Sequence, residues 1–213
     1  MKDIRSFYEA LCRLYPERDA CPGDTDGLQI CPEPDRPVRR VLCALDLCAS
    51  SVNAAKRVGA DLLLTHHPIF YGGVRTLDPD RHPENRSVCD LILSKIAHIS
   101  LHTRFDAGNG GMNDTLCAIL GLKNVSETGL PDEPRKLARV GDLETPCTPE
   151  TFAEFVSGSL DTDVLLTDGG QTIRRVLVVT GGGKDYADLF FHSDADAFLS
   201  GELSHHVRVG AAD

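Results

Sequence analysis

The chain has 213 residues, with 22 Lys and Arg against 32 Asp and Glu, a net charge of −10. That excess of negative charge gives no general attraction to nucleic acid or to anionic membrane surfaces, so neither is expected as a partner. A hydrophobic fraction of 41% and a charged fraction of 25% are those of a globular protein with a real core. The most apolar stretch, Val41 to Ala49, is too short for a membrane span and carries Asp46.

The N-terminal residues mix charges of both signs and lack the apolar run of a signal peptide, which predicts a cytoplasmic protein. None of the eight cysteines forms a Cys-x-x-Cys pair, which argues against a zinc ribbon or a thioredoxin motif. Free thiols are expected in a reducing compartment, buried ones at Cys43, Cys89 and Cys117 within apolar runs.

Ile4, Phe7, Tyr8, Leu11 and Leu14 share one helical face, and Pro16 and Cys21-Pro22-Gly23 follow as breakers. Arg40 to Leu47 reads as a buried strand. Ser50 and Ser51 can cap a helix that runs to Arg57, with Gly59 as its stop. Asp61 to Thr65 is a second strand. Asn85 to Ala97 reads as a helix with Val88, Leu91, Ile92 and Ile96 inward. Ile99 to Thr103 is a third strand, and Asn113 to Leu120 a helix ended by Gly121. This alternation predicts an α/β fold with a parallel sheet.

The second half is less regular. Strands are expected at Leu137 to Leu143, Val164 to Thr167, Arg174 to Thr180 and Asp196 to Ser200. Thr148-Pro149 opens a helix to Gly158, and Tyr186 to Phe191 is another. Gly181-Gly182-Gly183 lacks the spacing of a Walker loop and reads as a tight turn rather than a phosphate cradle. Residues 126–136 are the expected joint between a first lobe, 1–125, and a second, 126–213.

Three clusters carry chemistry, each just past an apolar strand, where α/β sheets bind ligands. The first is Thr65-His66-His67-Pro68. Pro68 holds His67 extended and ends ladder pairing, which lets neighbouring histidines serve one metal site. The second is His102-Thr103-Arg104-Phe105-Asp106, one crossover downstream. Its Asp106 is a candidate ligand, orienting acceptor or loop cap. The third is Gly201-Glu202-Leu203-Ser204-His205-His206. Glu202 shares a helix face with His205 and His206 if the helix starts early, or is the acidic residue of a solvated helix start. Asp46, past the first parallel strand, points to the same edge. No Gly-x-Ser-x-Gly elbow occurs, which argues against an acyl-transfer hydrolase.

In these residues the chain resembles the Nif-three-like family of dinuclear metal-centre proteins, known as GTP cyclohydrolase 1 type 2 homologues. The resemblance runs through Asp24-Thr25-Asp26-Gly27-Leu28-Gln29, Ala44-Leu45-Asp46, the His66-His67-Pro68 and His102 to Asp106 motifs, Gly111-Met112-Asn113-Asp114, Arg139-Val140-Gly141 and Gly201 to His206. It implies two related α/β lobes with helices over mixed or parallel sheets, a homohexamer, and paired divalent metals drawn from Zn, Mn, Fe or Ni. By resemblance His66, His67 and Asp106 are metal ligands; Asp46, His102, Glu202, His205 and His206 are candidates for orienting ligands or moving protons. Thr25 stands where the family usually has Asn. The family continues to a Gly-His-x-x-x-Glu segment that this sequence does not reach, so truncation and at most one metal per subunit are expected. The expected activity is metal-dependent hydrolysis of a nucleotide or phosphoester-like small molecule. The alternative is a non-enzymatic metal-binding scaffold, chaperone or regulator.

Overall fold

A computed structural model describes residues 2–72, 74–83 and 85–211. It resolves into two compact units, 1–105 and 106–213.

In the first unit, α1 (Ile4–Leu14) is capped by Asp3, whose carboxylate accepts from the Ser6 amide at 2.7 Å. The strands are β1 (Gly27–Ile30), β2 (Val41–Ala44), β3 (Leu62–Thr65) and β4 (Ala97–Ser100). Helix α2 (Ala49–Val58) joins β2 to β3, and α3 (Asn85–Leu93) precedes β4. The sheet order is β1-β4-β3-β2; β2, β3 and β4 are parallel, as expected, and β1 is an antiparallel edge that the sequence reading lacked. Alternation along β3 divides the core. Leu63 packs with Val52 and Ala55 of α2 and Val88 and Leu91 of α3. Leu62 and Leu64 face the other way, toward Ile4, Phe7, Tyr8 and Leu11 of α1. Leu62 and Leu63 are fully buried, a gain of about 1.5–3 kcal/mol each.

Some expectations need correction. The α3 helix ends at Leu93: Lys95 takes a left-handed φ of 58° and the chain turns into β4, which carries Ile96 into the core outside the helix. Ile92 is exposed. Cys43 is exposed too, because β2 is an edge strand. All eight cysteines are free thiols, and Cys117 is the buried one.

The short helix α4 (Thr103–Ala107) spans the boundary between the units, and α5 (Met112–Ile119) opens the second. Its sheet has the order β5-β6-β7-β8, from β5 (Lys123–Thr128), β6 (Ala138–Cys147), β7 (Ile173–Gly182) and β8 (Ala197–Glu202). Only β7 and β8 pair in parallel. Helix α6 (Pro149–Leu160) starts as read, with the Thr148 side chain accepting from the Thr151 amide. Two short helices, α7 (Ala187–Phe191) and α8 (His205–Gly210), complete the unit. Cys117, Leu120 and Leu122 pack with Phe152, Val156, Val176 and Val178. This core is why the unit begins before residue 126. The stretch 126–136 is not a linker: it holds the end of β5 and a loop pinned by Glu133. That buried carboxylate accepts from the Leu130 and Leu137 amides and from the Tyr186 hydroxyl. Val164 to Thr167 forms no strand, and Leu165 is exposed. Among the described residues no helix is long and apolar enough to cross a membrane.

Candidate metal centre

The parallel register sets Ala44, Thr65 and Ser100 side by side as the last residues of β2, β3 and β4. Asp46, His66, His67 and His102 therefore leave the sheet at one edge. The two adjacent histidines share a side because β3 ends at Thr65. The His66 and His67 amides both donate to the Leu45 carbonyl, at 3.2 and 3.0 Å, and the Thr65 hydroxyl donates to the His67 carbonyl at 2.7 Å. Among the described residues, His66, His67 and His102 offer ligand atoms within 4.8 Å of one another. Their ring centroids are 4.9, 5.1 and 5.6 Å apart.

Each imidazole is oriented by an acceptor at Nδ1. His66 Nδ1 donates to the Leu101 carbonyl at 2.9 Å, His67 Nδ1 to Asp46 Oδ1 at 2.7 Å, and His102 Nδ1 to Asp24 Oδ2 at 3.1 Å. A carbonyl or carboxylate oxygen accepts only, so these bonds assign the proton to Nδ1 and the lone pair to Nε2. The pattern is that of metal-ligating histidines, whose second nitrogen is held by a carboxylate or carbonyl. Burial, and then the neighbouring His102 and His67, lower the His66 pKa to about 4, so it is neutral at pH 7, the form that ligates metal. The donor set therefore fits a borderline divalent ion.

Asp24 is the functional residue that the sequence reading quoted in a motif without a role. It lies just ahead of β1, whose Gly27 pairs with Ser100 at the same sheet edge. Besides His102, its Oδ2 accepts from the Thr103 hydroxyl at 2.5 Å and the Thr103 amide at 3.0 Å. Burial opposes its charge, yet the hydrogen bonds from His102 and Thr103 prevail and hold it well below the usual carboxylate range. Asp26 braces the same turn, accepting from the His102 amide at 2.8 Å and from Arg104 Nε at 2.9 Å. Thr25 joins it to the His67 loop by donating to the Phe70 carbonyl. Gly27 is required here: its φ is 123°, and a Cβ would stand 2.7 Å from the Tyr8 hydroxyl.

The Duf34/NIF3 (NGG1p interacting factor 3) family profile matches residues 2–213. The chain belongs to this family. It is 35% identical over 215 residues to the GTP cyclohydrolase 1 type 2 homolog of Streptomyces coelicolor, covering 97% of this chain and 74% of that protein. The Streptococcus pneumoniae protein of the same name is 30% identical over 214 residues, covering 96% and 77%. The crystal structure of Staphylococcus aureus protein SA1388 superposes with a TM-score of 0.89 at 23% identity, over 99% of this chain and 83% of that one, which shows a shared fold.

The remaining family-motif residues divide between the units. Asp106 is buried on α4, the first residue of the second unit; Asn113 Nδ2 donates to its backbone carbonyl at 3.2 Å. Glu202 ends β8, whereas His205 starts α8, so these two do not share a helix face; Glu202, His205 and His206 are all exposed. The Gly181 to Gly183 segment is not the tight turn expected: Gly181 and Gly182 end β7, and Gly182 pairs with Glu202 of β8 past an irregularity in the register. The Gly183 amide donates to the Glu202 carbonyl at 3.0 Å and Ser200 Oγ to the Gly181 carbonyl at 2.9 Å, so neither group is directed at a phosphate.

Proposed function

We propose that the chain is a divalent-metal-dependent hydrolase whose centre is built on His66, His67 and His102. The carrying observation is the triad of imidazoles with all three Nδ1 atoms held by oxygen acceptors. By resemblance Asp106 is a further ligand. Zn, Mn, Fe or Ni suits these donors, and three imidazoles supply the protein side of one ion rather than two.

When bound, such an ion supplies Lewis-acid charge and a nucleophile at neutral pH. The chain's own residues do the rest. Asp46 and Asp24 keep His67 and His102 in the tautomer that presents Nε2, and the Leu101 carbonyl does the same for His66. Asp46, more than half exposed, is also placed to accept a proton from an incoming molecule. The names of the relatives direct the substrate search to GTP, other nucleotides and phosphoesters.

The test is metal loading followed by a substrate panel. The full chain is loaded with Zn, Mn, Fe or Ni, its metal content is measured, and turnover of GTP, other nucleotides and phosphoesters is followed. His66→Ala and His67→Ala are expected to lose both metal and turnover. Metal content unchanged in both variants would overturn the centre. Retained metal with no turnover across the panel would overturn the hydrolase and leave a metal-binding protein.

A further inference from the structure

His98 occupies the middle of β4, opposite Leu63 on one side and Ile30 on the other, and is fully buried. An aliphatic side chain would fill such a place without desolvating a polar ring. Burial lowers its pKa to about 4, so the ring is neutral at pH 7. Its one hydrogen bond among the described residues runs from Nε2 to Thr65 Oγ1, at 2.8 Å. The Thr65 hydroxyl has a single proton, and the His67 carbonyl at 2.7 Å can only accept it. Thr65 Oγ1 therefore accepts from His98, and the chain of donors runs His98 Nε2–H to Thr65 O–H to the His67 carbonyl. Hydrogen bonds in such a series polarise and strengthen one another in a dry interior.

We propose that His98 and Thr65 are positioning residues of the histidine centre: their buried strut captures the His67 carbonyl and so sets the turn on which His66 and His67 face one side. The inference rests on the metal-centre reading above. Neither residue belongs to the candidate donor set. Without the Thr65 hydroxyl the His67 carbonyl loses its anchor, and the His67–Pro68 peptide is free to rotate, which leaves the His67 backbone held on its amide side alone, by the Leu45 carbonyl. Leu101 completes the frame, since its amide donates to the Thr65 carbonyl at 2.9 Å while its own carbonyl receives His66 Nδ1.

The test uses the full chain and Zn²⁺ alone, titrated in competition with a chromogenic chelator, with Co²⁺ absorption as the geometric readout. Thr65→Val is expected to weaken Zn²⁺ binding about 10–100-fold, the range for loss of an outer partner of a metal ligand, and to shift the Co²⁺ bands. Thr65→Ser, which keeps the hydroxyl, is expected to bind as the parent does. Thr65→Val leaves the His98 N–H buried without an acceptor, which costs stability by itself. The double variant Thr65→Val/His98→Leu removes both polar partners, so thermal stability is expected to recover while Zn²⁺ binding stays weak. Recovery of affinity along with stability would reduce the pair to a structural role and overturn the proposal. So would folded Thr65→Val with parental affinity. His66→Ala separates the two readings. If it abolishes binding, the centre stands whatever the strut does; if binding is unchanged, the centre falls and the strut with it.

Discussion

Arg104 and Arg139 are the largest fully buried side chains among the described residues, and Asp26 beside Arg104 is nearly as inaccessible. The guanidinium donates to Asp26 at 2.9 Å, to the Tyr15 carbonyl at 3.0 Å and to the Tyr8 hydroxyl at 3.3 Å. Burial raises the Asp26 pKa even against the His102 amide and the Arg104 charge. Desolvation thus outweighs what the ion pair returns. Replacing Arg104 with Met removes the cation and leaves a buried carboxylate, which costs about 3–5 kcal/mol. For a chain of this size, that lowers Tm by about 10 °C at roughly 2–4 °C per kcal/mol. The second change, Asp26→Asn, removes the charge and keeps an acceptor for the His102 amide. In the double variant no uncompensated charge remains, so at least about 2 kcal/mol of the loss is expected to return. Arg104→Met alone is also expected to regain stability as pH falls from 7 to 5. A carboxyl with a raised folded pKa binds its proton in the folded state before the unfolded one. Circular dichroism melts and urea titrations of the four proteins decide the matter. A loss below about 1 kcal/mol in Arg104→Met, or a loss that Asp26→Asn does not reduce, would refute the reasoning.

Three further outcomes are expected. Burial holds the His98 pKa near 4 against about 6.5 when unfolded, so its contribution is present above pH 6.5 and lost as pH falls toward 4; urea titrations should show the parent losing about 3 kcal/mol more over that range than His98→Leu does. Hydrogen bonds from Ser50 and Ser51 lower the exposed Cys48 thiol to about 7, whereas burial pushes Cys117 up to about 11, so mass spectrometry should find Cys48 alkylated by iodoacetamide at pH 7 well before Cys117. Gly183→Ala would set a Cβ 2.4 Å from Ser200 Oγ and 2.8 Å from the Phe198 ring, a strain expected to cost about 1–3 kcal/mol in thermal melts.

Where the sequence was legible, local signals and tertiary packing agreed. The α1 pattern, the Thr148-Pro149 start of α6 and the apolar runs of β3 and β7 each give their own period or cap. The failures are elements that depend on distant partners. β1 has two apolar residues in four and becomes a strand through its pairing with β4. β5 is largely exposed and exists as the edge partner of β6. Val164 to Thr167 has the composition of a strand but is in no strand ladder among the described residues. Ile92 and Cys43 show the same limit for burial: an apolar run tells that a segment is near the core, and the sheet order decides which residue faces water.

The site was legible as far as strand ends were. His66, His67, His102 and Asp46 follow three consecutive parallel strands, so their convergence follows from chain order and a right-handed crossover pattern. Asp24 and Asp26 could not be found that way, because they precede an antiparallel strand, and only the pairing of Gly27 with Ser100 brings them to His102. His98 was hidden for a different reason. A histidine inside an apolar strand reads as one more core residue, and its meaning depends on a threonine 33 positions earlier in the chain. The clustered histidines sit at the ends of strands, where sequence patterns point, whereas the groups that orient them come from an edge strand and from the sheet interior. A reading of motifs alone therefore recovers the clustered imidazoles and misses the parts that fix their geometry. In this chain those parts are Asp24, Asp26, Thr65 and His98, and on the metal-centre reading proposed above substitution at them separates metal affinity from fold stability.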